Sequence, residues 1–188
     1  MTADPDTTPD PKDELLEHLP AMRAFALSLS RNGATADDLV QDAVVKAWSN
    51  FDKFQPGTNL RAWLFTILRN TYYSQFRKRR RETEDPDGVM AADLSVSPRH
   101  DGRLAIRDFR AAFRKLPDEQ CEALVLVGVE GFTYQEAAEM CGCAVGTIKS
   151  RVNRARKRLS ELMHLEDEGV IDLTDAAIAA VVSDKKAV

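Results

Sequence analysis

The fold class follows most directly from residues 133–158, TYQEAAEMCGCAVGTIKSRVNRARKR. Thr133 and Glu136 form the pattern of a capping box, in which both side chains satisfy free backbone N–H groups at the start of a helix. Gly142 adopts a left-handed backbone conformation without steric penalty, so it suits a tight turn. The stretch therefore predicts a short helix, a turn at Gly142 and a second helix beyond it.

Two helices joined by such a turn form a helix-turn-helix when small and apolar residues hold them together. Ala138 is small enough for close approach, and we expect Val145 and Ile148 to face the core. The second helix would then expose side chains suited to base edges and phosphates. Its predicted DNA-binding residues are Thr147, Lys149, Ser150, Arg151, Asn153, Arg154, Lys157 and Arg158. We expect Lys157 and Arg158 to contact phosphates rather than bases. A solvated basic helix is the alternative, but it does not explain why the capping box, the glycine turn and the basic face coincide.

Charge is distributed unevenly along the chain. The formal net charge of −4 does not by itself suggest a nucleic-acid ligand. However, every charged residue in 61–81 and in 149–158 is basic, whereas the acids are concentrated in the N-terminal arm, after Arg81 and from Glu166 onward. Such segregation creates two local positive fields on an acidic protein. We therefore expect two separate contacts with nucleic acid.

Almost every periodic segment has helical spacing, and no segment shows the alternation of a strand. Hydrophobic residues make up 44% of the sequence, which is enough for globular cores. We predict an all-α fold of two small helical domains joined by a flexible linker, the second with a helix-turn-helix. The predicted segments are a disordered arm at 1–12, a first helical domain at 13–81, the linker at 82–102, the second domain at 103–165 and an acidic tail at 166–188.

The linker and the tail carry separate expectations. The linker contains Pro, Gly and several acids and has no clear apolar face. We therefore expect the two domains to move independently in the free chain and to be clamped by an inhibitor. In the tail, the apolar stretch 176–182 is either a short helix that docks on the body or a partner, or a frayed terminus.

The first domain has recognisable helix boundaries. We expect a helix over 13–31 that Pro20 splits or kinks. Asn32-Gly33 is predicted to cap its end, and Thr35 to start the next helix. Asn59 is predicted to cap a third helix from Leu60 to about Arg80.

This third helix interleaves aromatic with cationic and amide side chains, a combination that suits unstacked single-stranded bases. The residues are Trp63, Phe65, Tyr72, Tyr73 and Phe76, with Arg69, Asn70, Arg77 and Lys78. The alternative is structural, because Trp63 and Phe65 are residue types common in cores and the basic run 77–81 is also typical of a solvated surface.

The preceding helix carries a half-acidic, half-apolar surface. Its polar residues are Asp37, Asp38, Gln41 and Asp42, and its apolar residues are Leu39, Val40 and Val45. Such a surface is typical of protein docking, but an ordinary amphipathic helix has the same pattern. The residue pattern leaves both interpretations open.

The sequence contains no Gly-rich phosphate loop, no metal-ligand cluster and no Ser-His-Asp or Cys-His set. We therefore predict a protein that is not an enzyme and binds no cofactor or metal.

The odd number of cysteines, Cys121, Cys141 and Cys143, argues against a disulfide framework. We expect reduced, structural thiols, with a redox-sensitive pair of Cys141 and Cys143 as the alternative. No stretch approaches the ~20 apolar residues of a membrane span, and the N-terminus lacks the pattern of a secretory signal, which predicts a cytoplasmic location.

The order of the motifs resembles that of the extracytoplasmic-function sigma factors, the minimal bacterial sigma factors with only two domains. The resemblance covers residues 14–163. It rests on DLVQDA at 38–43, AWLFTI at 62–67, RN at 69–70, LP at 116–117, TYQEAA at 133–138, GTIKSR at 146–151 and RAR at 154–156. The loop FQPGTN at 54–59 is most similar to the EcfG-type general-stress sigma factors of alphaproteobacteria.

The resemblance implies a role for each segment in transcription initiation. The second domain would lie near the β flap of core RNA polymerase and recognise the minus-thirty-five element of promoter DNA with the helix from Val145. The linker would thread through the polymerase toward the RNA exit path. The acidic helix would dock on the β′ clamp helices through Asp38, Leu39, Gln41 and Asp42. The first domain would melt and hold the minus-ten element, with a flipped base in the loop 54–59, through Phe54, Asn59, Arg61, Trp63, Asn70, Tyr73, Arg77 and Lys78.

The resemblance also implies regulatory partners. In the EcfG-type group an anti-sigma factor of the NepR type sequesters the sigma factor, and a response regulator with a sigma-like domain releases it. One departure limits the comparison: many members carry an acid near position 74, where this chain has Ser74. We therefore assign no fine promoter specificity to that stretch. A stand-alone helix-turn-helix regulator is the alternative function, but it has no need for the aromatic-basic helix or the acidic face of the first domain.

Overall fold

The computed structural model describes residues 11–82 and 101–164, and every regular element in these ranges is helical. Most of the predicted arm, linker and tail lies outside the described residues. The all-α prediction is confirmed. The helices are α1 (Pro11–Glu17), α2 (Leu19–Ser30), α3 (Gly33–Ser49), α4 (Leu60–Glu82), α5 (Asp101–Phe113), α6 (Asp118–Leu124), α7 (Tyr134–Cys141) and α8 (Val145–Met163). A 3-10 turn (Phe51–Lys53) follows α3, and a π turn (Val125–Val129) extends α6.

The break predicted at Pro20 is confirmed, because α2 begins at Leu19 with the proline in its first turn. The boundary predicted after α2 is wrong. Arg31 takes the left-handed conformation with φ 57°, and the Asn32 side chain caps α3 by accepting a hydrogen bond from Thr35 N at 3.0 Å. An extended Asn before a helix satisfies one of the free N–H groups of the first turn. The next helix therefore starts earlier than expected, at Gly33.

The first domain is a bundle in which α2, α3 and α4 pack on one another. Phe25 of α2 stacks on Phe65 of α4 with ring centroids 5.2 Å apart, and both side chains are fully buried. Leu64 and Leu68 lie in the same core. At the start of α4 the backbone N–H of Ala62 donates to Asn59 Oδ1 at 3.0 Å, which confirms the predicted cap.

The second domain is built around α8, against which α5, α6 and α7 pack. Its core includes Leu124, Leu126 and Leu159, each no more than 1% exposed. The π turn that follows α6 is closed by a hydrogen bond from Glu130 N to Val125 O at 3.0 Å. This turn directs the chain from α6 toward the start of α7.

The helix-turn-helix forms as predicted, from α7, the turn at Gly142 and α8. Thr133 and Glu136 make both hydrogen bonds of the capping box, and Gly142 has φ 63°. Ile148 is fully buried. The prediction that Val145 faces the core is wrong, because its side chain is 37% exposed. Val145 is the first residue of α8, and the helix meets the core only from Ile148 onward.

The two domains pack against each other through α2 and α4 of the first and α6 and α7 of the second. The linker composition predicts domains that move independently, whereas this structure holds them in contact. A polar linker does not prevent contact between the domains that it joins. Contact depends on whether the two facing surfaces are complementary, and these surfaces carry opposite charges and paired aromatic rings.

Candidate nucleic-acid and polymerase interfaces

The solvent face of α8 is the candidate DNA-recognition surface. The buried residues Ile148, Val152, Ala155 and Leu159 fix one side of the helix against the core. Helical geometry then directs the opposite side to solvent. Five of the predicted DNA-binding residues are exposed on that side, whereas Thr147, Ser150 and Arg151 are half-buried. The exposed residues are Lys149, Asn153, Arg154, Lys157 and Arg158.

Local contacts orient part of this surface. The Lys149 ammonium lies over the Tyr134 ring, 5.8 Å from its centroid, and so links α8 to α7. The Ser150 hydroxyl donates to the Thr147 carbonyl at 2.8 Å. Arg158 pairs with Glu161 at 3.2 Å. These side chains are therefore partly held by their own helix or by α7.

Arg151 differs from the other predicted DNA-binding residues. Its side chain is only 18% exposed and forms an ion pair with Glu119 at the start of α6. A second guanidinium nitrogen lies 3.9 Å from the sulfur of Cys143. Arg151 therefore holds α8 against α6 in this structure, and a phosphate contact would require exchange of its partner.

A pocket of about 420 Å³ opens on the first domain between the end of α3 and α4. Two of the predicted minus-ten residues, Trp63 and Asn70, line this pocket. Ile67, Thr71 and Ser74 complete the α4 side. The opposite wall is formed by Lys46, Asn50 and Lys53.

These three wall residues were missed by sequence reasoning. Lys46 lies in the last turn of α3, Asn50 caps that helix and Lys53 lies in the 3-10 turn. Helical periodicity therefore does not group them, and they come together only where the chain leaves α3. The Lys46 ammonium donates to Thr71 Oγ1 at 3.1 Å, and the Lys53 ammonium to Asn50 Oδ1 at 2.6 Å. Two cations, amide groups and an indole around one opening suit a base and its adjoining phosphate.

Phe54 lies below this surface rather than on it. Its side chain is 7% exposed and packs on Trp63 with ring centroids 5.3 Å apart. The Phe51 ring packs against both of these rings, with its centroid 5.7 Å from each of theirs. Phe54 therefore supports Trp63 from beneath, while residues 55–59 of the loop are exposed.

Three other predicted minus-ten residues face the second domain. Arg61 donates to the backbone carbonyl of Glu130 at 2.6 Å and also contacts its carboxylate. The Tyr73 hydroxyl donates to Glu122 at 3.2 Å, and Asn59 Nδ2 donates to Glu136 at 2.9 Å. The remaining two, Arg77 and Lys78, are exposed near the end of α4. The predicted minus-ten residues are thus divided between different faces of α4 and the loop that precedes it.

The candidate polymerase-docking surface is the outer face of α3. Asp38, Gln41 and Asp42 are exposed as predicted, and Asp42 accepts a hydrogen bond from Gln75 at 2.7 Å. The structure places Leu39 in the core, where it is 1% exposed, so its predicted position on this surface is wrong. Its spacing from the buried Ala36 and Ala43 puts it on the inward side of the helix.

Apolar exposure on α3 comes instead from Val45, which the sequence pattern places on this surface, and from Trp48, which it does not assign to it. Val45 is 64% and Trp48 is 57% exposed. They follow Gln41 by four and seven residues, which places all three side chains along one face. Large exposed apolar side chains beside acids are typical of a protein-binding surface.

The three cysteines carry free thiols. Burial raises the pKa of Cys121 and of Cys141 to about 12. A thiol with such a raised pKa holds its proton at neutral pH and is a poor nucleophile.

Among residues 11–82 and 101–164, no group of His, Cys, Asp and Glu side chains has the arrangement of a metal site. The helices of the same two ranges include none long and apolar enough to cross a membrane.

Comparison with known proteins identifies both domains. Residues 15–82 match the family model of Sigma-70 region 2, and residues 106–159 match that of Sigma-70, region 4. The ECF RNA polymerase sigma factor EcfG of Rhodopseudomonas palustris (strain TIE-1) is 55% identical over 170 residues, which cover 89% of this chain and 94% of the relative.

Solved structures agree with this assignment. The sigma factor RpoE, in complex with the anti-sigma factor NepR from Bartonella quintana, is 54% identical, with a TM-score of 0.72 over 82% of this chain and 97% of that one. CnrH in complex with the cytosolic domain of CnrY is 28% identical, with a TM-score of 0.57 over 82% of this chain and 87% of that one. The chain therefore belongs to the extracytoplasmic-function sigma factors of RNA polymerase, a family of DNA-binding transcription factors.

Proposed function

We propose that this chain is a general-stress sigma factor that binds core RNA polymerase, directs it to promoters with two sequence elements, and helps to separate the promoter strands. Two separate surfaces of one chain support this proposal: the basic, exposed face of α8 and the pocket between α3 and α4, whose lining suits a nucleotide. A stand-alone helix-turn-helix regulator needs only the first of these surfaces. The polymerase, not this chain, would form the phosphodiester bonds.

The outer face of α3 is the proposed contact with polymerase. It combines the carboxylates of Asp38 and Asp42 with the exposed Val45 and Trp48. The apolar side chains would supply the buried centre of an interface, and the acids would select a basic partner. The β′ clamp helices of polymerase are the partner that we propose for it.

The α8 face is the proposed reader of the upstream element. Arg154 is exposed on this face and carries a planar guanidinium that matches guanine O6 and N7. Lys149 lies five residues earlier, roughly 140° away around the helix axis, so the two side chains serve different contacts. Lys157 and Arg158 extend the positive surface toward the phosphates.

The pocket between α3 and α4 is the proposed site for a base of the minus-ten element. Trp63 offers an aromatic face, and Asn70 offers an amide for hydrogen bonds to a base edge. Lys46 and Lys53 at the rim would neutralise the adjoining phosphates. We propose that Phe54 keeps Trp63 in place from below rather than contacting the base itself.

Control by an anti-sigma factor is the regulatory part of the proposal. The relative from Bartonella quintana was solved with NepR bound, and its sequence is similar to this chain over nearly its full length. We therefore propose that an inhibitor of the NepR type sequesters this chain until a stress signal releases it.

Transcription with purified components tests the proposed function. Core RNA polymerase, with and without the full chain, is supplied with a library of DNA templates, and the transcript starts are sequenced. We expect new starts on templates that share two short elements at a fixed spacing. A double variant, Lys149→Ala with Arg154→Ala, should still bind core polymerase but lose most of these starts. Identical transcripts with and without the chain would contradict the proposal.

A further inference from the structure

The solvent face of α8 carries closely spaced cations. They are Lys149, Arg154, Lys157 and Arg158. Glu161 is the first acid of the helix, and it pairs with Arg158 at 3.2 Å. Arg154 precedes Lys157 by three residues and Arg158 by four, and like charges at these spacings destabilise a helix. An anion beside this face would relieve that repulsion.

Two of these cations have no acidic partner in the part of the chain that the structure describes. Within residues 11–82 and 101–164, neither Arg154 nor Lys157 forms an ion pair. The Lys149 ammonium lies over the Tyr134 ring, 5.8 Å from its centroid. Arg151 differs, because Glu119 already balances its charge. The exposed face of α8 therefore offers cations that another anion can take.

The stretch of sequence that follows α8 has the opposite charge. Residues 166–175 contain five acids and no base, and the next base along the chain is Lys185. The acids are Glu166, Asp167, Glu168, Asp172 and Asp175. Lys and Arg side chains bind a carboxylate through the same charge-assisted hydrogen bonds as a phosphate. A basic helix face and an acidic segment thus lie next to each other in the chain.

The end of α8 turns the chain away from the helix axis. His164 ends the helix in the left-handed conformation, with φ 55°, and its backbone N–H donates to the Glu161 carbonyl at 3.4 Å. A left-handed residue at this position stops a helix and changes the direction of the chain. The acidic segment therefore leaves α8 at the end of the basic face and is not a straight continuation of the helix.

The acidic segment is long enough to cover the whole basic face. Lys149 precedes His164 by 15 residues of helix, a distance of about 22 Å along the axis. Asp172 follows His164 by eight residues, and eight extended residues span about 26 Å. If the segment runs back along α8, the acids at 166–168 come level with the cations at 154–158. Asp172 then comes level with Lys149.

The short connection makes a weak contact effective. A few exposed ion pairs bind weakly between separate molecules, and salt screens them. A segment attached directly to the end of α8 competes at an effective concentration on the order of millimolar. It can therefore occupy the face in the free chain, whereas a promoter that is held at two sites by a polymerase complex displaces it.

We propose that residues 166–175 lie along the basic face of α8 in the free chain and occupy the cations that bind promoter phosphates in the transcription complex. The inference rests on the proposed function and adds a means of regulation to the same face. Cations bind the phosphates of any duplex, whatever its sequence. The acidic segment thus keeps the free chain from binding DNA at random before it has bound polymerase.

Cross-linking of the full wild-type chain tests where the segment lies. A carbodiimide joins a lysine amine to a carboxylate in contact with it, and mass spectrometry identifies the joined peptides. In about 50 mM salt we expect links from residues 166–175 to Lys149 and Lys157, and in about 0.5 M salt we expect their loss through screening. The link to Lys149 is decisive, because this lysine lies at the far end of the face. The exposed Lys53 and Lys115 are internal controls that should form no such link.

Binding of duplex DNA tests what the segment does. Fluorescence anisotropy with a labelled duplex of about 30 base pairs compares the wild-type chain with a tail variant that replaces four acids with amides. The tail variant is Glu166→Gln/Asp167→Asn/Glu168→Gln/Asp172→Asn. We expect it to bind about five- to tenfold tighter than the wild type at about 50 mM salt, because the cations of α8 no longer have an internal competitor. The difference should disappear at about 0.5 M salt.

A matched control separates occupation of the face from a simple change in net charge. The arm variant removes four negative charges from the N-terminal arm and α1 instead: Asp4→Asn/Asp6→Asn/Asp10→Asn/Asp13→Asn. Both variants have the same net charge, so a general effect of charge would tighten duplex binding equally in the two. We expect the arm variant to bind within about twofold of the wild type.

Two results would overturn the proposal. The first is the absence of a link between residues 166–175 and Lys149 at low salt, or links from this segment to Lys53 or Lys115 instead. The second is equal binding of duplex by the tail variant and the arm variant. Neither measurement uses polymerase. A chain that directs new transcript starts but gives either of these results fails this inference alone, whereas a chain that gives the Lys149 link without new starts fails the proposed function.

Discussion

Arg69 and Glu122 lie 53 residues apart in different domains, yet the Arg69 guanidinium donates a hydrogen bond to the Glu122 carboxylate at 2.6 Å. Arg69 also lies over the Tyr73 ring, 4.6 Å from its centroid. A guanidinium binds carboxylate and phosphate with similar geometry. The same side chain can therefore serve either an internal acid or a nucleic-acid backbone, which links the packing of the domains to the proposed function.

The outer face of α3 gives the first prediction. Charge reversal in Asp38→Arg/Asp42→Arg should weaken binding to core polymerase about tenfold or more, because opposite charge on the partner would become repulsive. Both residues are exposed, so the circular dichroism spectrum should not change. The matched control is Asp52→Arg, an exposed acid on the 3-10 turn after α3. Unchanged co-purification of the double variant with core polymerase would contradict the docking assignment.

The solvent face of α8 gives the second prediction. Arg154→Ala should cost about 1–3 kcal/mol at the preferred promoter and relax selectivity at one base pair. Lys157→Ala should instead weaken binding to all sequences alike and flatten its salt dependence. A series of promoter variants transcribed with each protein distinguishes the two roles. Equal losses for Arg154→Ala across all upstream variants would refute the base contact.

The pocket between α3 and α4 gives the third prediction. Lys53→Ala should reduce the yield of open promoter complexes about fivefold, because a cation at the rim of the pocket is lost. Binding of the holoenzyme to duplex that carries only the upstream element should not change. Lys115→Ala, which removes an exposed cation from the second domain, is the control. If both variants open promoters equally well, the pocket does not hold the strand.

The helix-turn-helix is the part of the fold that the sequence predicts best, because its determinants are local. A capping box needs residues three apart, and Gly142 needs only its own backbone conformation. The docking motif predicts Leu39 on the outer face of α3, whereas its spacing from the buried Ala36 and Ala43 places it in the core. A sequence motif identifies residues by their order in the chain, whereas burial depends on the helix face that each residue occupies.

The contact between the domains could not be predicted from the sequence. Periodicity and turn residues describe each helix by itself, whereas the pairing of Arg61 with Glu130 depends on how two bundles meet. The composition of the linker gives no information about how the two bundles pack against each other. The wall of the pocket was missed for a related reason, since Lys53 joins Trp63 only after α3 and α4 have packed.

The burial pattern of α8 gives the fourth prediction. Ile148→Ala should reduce the free energy of unfolding by about 2–5 kcal/mol, because it leaves a cavity where the helices of the motif meet. Val145→Ala should cost less than about 1 kcal/mol, since Val145 is partly exposed. Urea unfolding followed by far-ultraviolet circular dichroism measures both. Equal losses would indicate that Val145 belongs to the core after all.

The capping box of α7 gives a prediction on pH. The backbone N–H of Thr133 and then its hydroxyl donate hydrogen bonds to the Glu136 carboxylate, and these bonds lower the pKa of Glu136 from its ordinary value. A carboxyl with a lowered pKa stabilises the folded state above its unfolded pKa, and this stabilisation is lost as the pH falls through the folded value. Glu136→Gln should therefore be less stable than the wild type at pH 7, by about 0.5 kcal/mol.

Thermal unfolding of both proteins between pH 7 and pH 3 measures this difference. It should shrink as Glu136 takes up its proton, because the amide and the protonated acid are both neutral. A difference that stays constant over this range would show that the charge of Glu136 contributes nothing to the cap.

We propose that this chain enables core polymerase to separate promoter strands. Permanganate footprinting, which detects unpaired thymines, measures this directly on a promoter identified from the template library. We predict reactive thymines around the minus-ten element when core polymerase and the chain are both present, and none with either component alone. Reactivity with core polymerase alone, or no reactivity when both are present, would contradict a role of this chain in strand separation.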